Sequence, residues 1–132
     1  VMLASGLLSL PGLGMAEDHV ITAPSGLAFD PPEVIFEPAG VLAAQAKKLR
    51  LRFVAPEIAD TDTFGFETLE ADFEFLCTVS GLKIAKRSAP KVERIIVSIS
   101  SDPVALGETA PNIAQYFDAF SVSNGTCIWD VL

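Results

Sequence analysis

A single histidine, His19, is all the imidazole this chain of 132 residues has. A metal site needs three or four ligands, and one histidine with two cysteines does not supply them in a usual pattern. A Ser-His-Asp arrangement would have to rest on His19, while Ser98, Ser100 and Ser101 lack a partner base and no Gly-x-Ser-x-Gly turn occurs. No glycine-rich phosphate loop is present, which leaves out the usual nucleotide cradle. Positive charge is also scarce. Nine Lys and Arg stand against seventeen Asp and Glu, and the net charge of −8 disfavours nucleic acid and strongly anionic membranes. Carboxylates are plentiful, but so small a chain has little room for a sugar cleft between a catalytic pair. The expectation is a protein without cofactor, without catalytic residues and not an enzyme.

What is present begins with residues 1–16. Leu3, Leu7, Leu8 and Leu10 form a short apolar run broken by Pro11-Gly12. Gly14 and Ala16 then place small residues at the −3 and −1 positions of a cleavage site, as at the end of a secretory signal peptide. A membrane anchor needs about 20 apolar residues, and this run has about ten. A core helix would rarely carry Ser5, Gly6, Ser9, Pro11, Gly12 and Gly14 together. The chain opens at Val1 without a basic n-region, so further residues are expected upstream. A mature domain of residues 17–132, about 116 residues, is one domain's worth of chain. Its expected location is periplasmic or secreted, with no membrane-spanning segment.

Charge is unevenly spread over that domain. All basic residues lie in two stretches, 47–52 and 83–94, whereas residues 57–74 hold seven acids and no base. Two readings stand: a solvated surface with the signs paired across the fold, or an acidic loop that meets a cation or a basic partner. Cys77 and Cys127 permit one connectivity. In an oxidising compartment they are expected to form a disulfide, with two buried free thiols as the alternative. Closing a loop of about 51 residues would stabilise the fold by about 4 kcal/mol in the chain-entropy picture.

Hydrophobic periodicity gives the architecture. Pro24-Ser25-Gly26 marks a turn between weak extended pieces, and Val34-Ile35-Phe36 is a short strand followed by the turn at Glu37-Pro38-Ala39-Gly40. Leu49, Leu51 and Phe53 alternate with Lys48, Arg50 and Arg52, which predicts a strand with one apolar and one basic face. Ala43-Ala44-Gln45-Ala46 before it reads equally as helix or as strand. Thr68 is the expected cap of a helix on which Leu69, Phe73, Leu76, Cys77 and Ser80 share one face. Gly81 interrupts that pattern and a second helical turn follows. Residues 94–100 are a β-branched strand. Strands at 116–122 and 126–131 flank Ser123-Asn124-Gly125, a strong hairpin signal because both Asn and Gly tolerate positive φ. Cys127, Trp129 and Val131 fall on one face of the last strand, towards the helix that carries Cys77. The expected fold class is α+β: an antiparallel sheet of four to five strands, one main helix packed on one face, and a C-terminal β-hairpin.

Two smaller motifs have a chemistry of their own. Asp60-Thr61-Asp62-Thr63-Phe64-Gly65 begins like a calcium loop, but Ala71 stands where a bidentate Glu is required, so an EF-hand is excluded. A looser calcium site of Asp60, Asp62 and Glu67 is the weak metal candidate that remains. Asn124-Gly125-Thr126 matches a glycosylation sequon, which the hairpin explains by itself.

Several segments together resemble a known group. These are Pro24-Ser25-Gly26, Arg50-Leu51-Arg52-Phe53-Val54-Ala55-Pro56, Asp72-Phe73 with Leu76-Cys77, Ile95-Ile96-Val97-Ser98-Ile99-Ser100, and Gln115-Tyr116-Phe117-Asp118-Ala119-Phe120 with Gly125-Thr126-Cys127-Ile128-Trp129. In this order they resemble a family of small exported alphaproteobacterial domains of unknown function, over most of residues 17–132. Members are sometimes labelled acetolactate synthase, a large thiamine-diphosphate enzyme, and nothing in these residues suits that cofactor. The resemblance implies an exported domain with paired cysteines and brings no catalytic residues.

The resulting expectation is a non-enzymatic exported module that acts through protein contact. Residues 57–67 and an exposed sheet edge are its candidate contact elements. The alternative is a small-ligand or metal-binding domain with a pocket between helix and sheet near Phe73, Phe120 and Trp129; a small hydrolase ranks last.

Overall fold

The computed structural model describes residues 19–38, 47–87, 91–108 and 110–130. Residues 1–16, the expected signal, lie outside these, as do Ala43–Ala46 of undecided structure and Val131 of the last strand. A two-stranded ribbon comes first, β1 (Ile21–Thr22) and β2 (Ala28–Phe29), paired antiparallel around the Pro24-Ser25-Gly26 turn. Gly26 has a φ of +96°, a backbone conformation that a side chain would oppose. The remaining strands are β3 (Glu33–Pro38), β4 (Lys47–Val54), β5 (Val92–Ser100), β6 (Gln115–Ser123) and β7 (Thr126–Trp129). They form one five-stranded sheet in the order β3-β4-β5-β6-β7.

The fold class is α+β, with the helix on one face and β6–β7 as a C-terminal hairpin. The Asn124-Gly125 turn has φ values of 53° and 70°, and Ser123 faces Thr126 across it. Both residues therefore use the conformation that a two-residue hairpin needs.

One pairing departs from the expected antiparallel arrangement. β4 and β5 run parallel, with Leu49 opposite Ile95 and Phe53 opposite Ile99, so the sheet is mixed. The cause lies between them. After the short 3-10 turn Pro56–Ala59, helix α1 (Phe66–Leu76), a π-helical turn (Cys77–Gly81) and α2 (Leu82–Lys86) follow without a break. Residues 66–86 carry the chain about 30 Å back across the sheet, a full strand length, so β5 must start at the same end as β4.

The helix also differs from its sequence reading at two points. Gly65 is its N-cap residue, and Thr68 lies inside the first turn with its hydroxyl directed to the Thr63 carbonyl. At the other point, Gly81 does not end the helix. Its backbone stays helical, and a Cβ there would come 3.1 Å from the Ile95 side chain and 3.4 Å from Leu51. The missing side chain brings the helix close to β4 and β5, an advantage that outweighs a helix penalty of about 1 kcal/mol.

The core lies between this helix and one sheet face. Leu69, Phe73, Leu76 and Cys77 are buried against Leu49, Leu51, Phe53, Ile95, Val97, Ile99 and Phe120. Phe53 also meets Phe29 edge-on at 5.5 Å, which brings the N-terminal ribbon into the same core. The opposite sheet face carries the basic side chains of β4.

Candidate binding surfaces

The sulfurs of Cys77 and Cys127 are 2.11 Å apart, joining the π-helical turn to β7. Helical spacing puts Cys77 on the buried stripe. Strand alternation puts Cys127 beside Val122 on the face that meets it. The pair holds two walls of a surface groove: the helix on one side, the β6–β7 hairpin on the other.

That groove has a volume of about 800 Å³. Val79, Leu82, Ala85, Val92 and Val122 give it an apolar lining, and Lys83, Lys86 and Lys91 stand exposed among them. Thr78 and Val79 belong to the π-helical turn, in which the Leu82 amide donates to the Cys77 carbonyl five residues back. Single π turns inside helices occur often at functional sites. Among the described residues, no ion pair uses Lys83, Lys86 or Lys91.

The other basic stretch is used differently. Lys48 and Arg50 both reach Glu37, at 3.8 and 3.2 Å, and Arg52 reaches Glu33 at 3.0 Å. Arg52 also donates to the Val104 carbonyl. Within the 83–94 stretch itself, Arg94 is paired, with Asp130. Cross-strand register produces these pairs, since Glu33 lies opposite Arg52 and Glu37 opposite Lys48.

The pocket expected near Phe73, Phe120 and Trp129 is only partly assembled. Phe73 is fully buried and stacks on Phe66 at 5.6 Å, so it belongs to the core. Phe120 and Trp129 do line a second groove of about 500 Å³, together with Glu67, Glu70, Ala71, Glu74 and Asp118. Trp129 is 59% exposed, and its indole N–H donates to buried Asp118 at 2.9 Å.

Asp60, Asp62 and Glu67 are exposed and are not brought together. Among the described residues there is no group of three or more His, Cys, Asp or Glu in metal-holding geometry. The Asp60 carboxylate instead accepts the Thr63 hydroxyl at 2.7 Å within its own turn, and Glu67 sits in the first turn of α1. His19 is exposed just ahead of β1.

Sequence reasoning missed Asp72. This fully buried carboxylate accepts the Ser25 amide at 2.9 Å and the Ser25 hydroxyl, clamping the first turn of the domain to α1. The signal was available: Asp72 lies three residues after Leu69 and four before Leu76, within the buried stripe.

The fold and its surfaces define a small α+β domain, with a cysteine pair joining helix to hairpin and surface grooves flanking the helix. The chain belongs to DUF6497, a family of unknown function whose model matches residues 9–132. Comparison with curated proteins and with solved structures finds no match. Among the described residues no helix is long and apolar enough to cross a membrane.

Proposed function

We propose that this is an exported, non-enzymatic domain, periplasmic or secreted, that works by contact with another protein. The observation that carries the reading is the Cys77–Cys127 pair at bonding distance, because such bonds persist in oxidising compartments. The signal-like residues 1–16 support the same address. The non-enzymatic part rests on the sequence, whose only imidazole is the exposed His19. Fractionation of the source cells with immediate thiol trapping tests the address. The expected result is a fully oxidised chain in the envelope or culture medium. A cytosolic chain with two trapped thiols overturns it.

A second reading, binding of a small ligand, is favoured by one observation. The groove of about 800 Å³ beside the π-helical turn falls within the volume range of small-molecule sites, roughly 300–1,000 Å³. Heteronuclear NMR of the labelled chain against a metabolite panel tests this reading. Shifts confined to Thr78, Leu82, Ala85 and Val122 support it, and an unchanged spectrum removes it.

A further inference from the structure

We infer that the groove between the helix and the β6–β7 hairpin binds a small anionic amphiphile, a single hydrocarbon chain with an acidic head. The inference rests on the small-ligand reading and adds the chemical class. Three observations carry it: the lining, the position of the charges and, among the described residues, the absence of an acidic partner for them.

The lining is mostly apolar. Val79, Leu82 and Ala85 come from one side of the helix, and Val92 and Val122 from the sheet. A hydrocarbon chain laid there would be removed from water along its length, a gain of about 0.8 kcal/mol per buried CH₂. Around that lining stand Lys83 and Lys86 on the helix and Lys91 at the start of β5. Lysine stems cover apolar surface while their ammonium groups remain in water, so an acidic head would be met at the rim.

Position alone would not be enough, since most surface lysines are solvated or paired. Here the rest of the molecule supplies the contrast. Lys48, Arg50, Arg52 and Arg94 each have a carboxylate partner, in a chain with a net charge of −8. Acids outnumber bases nearly two to one, yet among the described residues none pairs with Lys83, Lys86 or Lys91. A local positive rim on an acidic molecule selects an anion, and repels neither a chain nor a head of the right sign.

The size of the groove favours a small molecule. About 800 Å³ of groove lies within the range of roughly 300–1,000 Å³ that suits a ligand of drug or fatty-acid size. The Cys77–Cys127 bond, at the boundary of both walls, holds them in place before any ligand arrives. Preorganisation of this kind lowers the ordering cost of binding.

The test uses the full, oxidised chain and calorimetric titration below micelle-forming concentrations. The probes are dodecanoate, dodecyl phosphate and dodecyltrimethylammonium, which share a chain and differ in head. Both anions are expected to bind and the cation is not. The double substitution Lys83→Glu/Lys86→Glu, on exposed positions that leave the core untouched, is expected to weaken dodecanoate about tenfold. If one anion binds and the other does not, the class holds and the source of the head is narrowed to carboxylate or phosphate. Equal binding of anion and cation, unaffected by the double substitution, overturns the anionic class while the small-ligand reading stands. No binding by any probe, with the NMR panel also silent, overturns both. Displacement of dodecanoate by an acidic apolar peptide that binds more tightly gives the groove to a protein partner, and self-association that dodecanoate cannot reverse gives it to a second copy; either overturns the proposal.

Discussion

The basic side chains of β4 and the three lysines beside the groove are put to opposite uses. On β4, Lys48, Arg50 and Arg52 project from the sheet face away from the helix and find Glu33 and Glu37 across the strand pair. Along the helix and at the start of β5, Lys83, Lys86 and Lys91 surround apolar surface, and among the described residues no carboxylate answers them. The difference comes from geometry. Strand register forces side chains into fixed opposition at about 5 Å, so complementary charges on neighbouring strands meet. A helix flank above a groove imposes no such partner. A basic stretch in sequence therefore says little about availability, which depends on what the fold places opposite it.

The largest way to disturb this comparison is to release the walls of the groove. Cys77→Ser/Cys127→Ser removes the only cross-link among the described residues and is expected to cost about 4 kcal/mol in urea unfolding. Hydrogen exchange should then rise at Thr78, Val79, Leu82 and Val122 while the β4–β5 amides stay protected. Equal exchange at both places would mean that the bond does not hold the groove.

Next comes Asp72, whose removal leaves the Ser25 donors without their acceptor. Asp72→Ala is expected to lose about 2–3 kcal/mol by thermal or chemical unfolding. Asp72→Asn, which keeps one acceptor oxygen, should lose less. Gly81→Val pushes a branched side chain against Ile95 and Leu51 and should cost about 1–3 kcal/mol through overpacking. Gly81→Ala tests the same contact more gently, since its gain in helix propensity partly offsets the crowding.

The smallest effects give the sharpest contrast. Arg52 is 11% exposed and ties Glu33 and the Val104 carbonyl to β4, so Arg52→Ala should destabilise by about 1–3 kcal/mol. Lys83→Glu/Lys86→Glu should leave the unfolding midpoint where it is, because exposed substitutions away from such networks do little. Differential scanning calorimetry on both variants decides the matter. A matching fall in both would show that the helix lysines are structural after all.

Much of the fold was legible because its periodicities are local. Alternation of Leu49, Leu51 and Phe53 with Lys48, Arg50 and Arg52 identified β4, and Asn124-Gly125 identified the hairpin. The stripe of Leu69, Phe73, Leu76 and Cys77 together with the face of Cys127 pointed to the cysteine pair. The candidate site was much less legible. Lys83, Lys86 and Lys91 read only as a basic stretch, and the pocket expected near Phe73, Phe120 and Trp129 divides between the core and an exposed groove.

By itself, the sequence determined most element types, the buried faces and the single possible cysteine pairing. These follow from spacing and composition, which do not depend on distant residues. Tertiary structure decided the parallel β4–β5 pairing, the unbroken helix through Gly81, the Ser25–Asp72 clamp and which cations meet a carboxylate among the described residues. Each of these depends on which residues meet across long sequence separations, 47 positions in the case of Ser25 and Asp72. A pattern of side chains fixes which face is buried; only the folded chain fixes what that face, or the opposite one, finds in front of it.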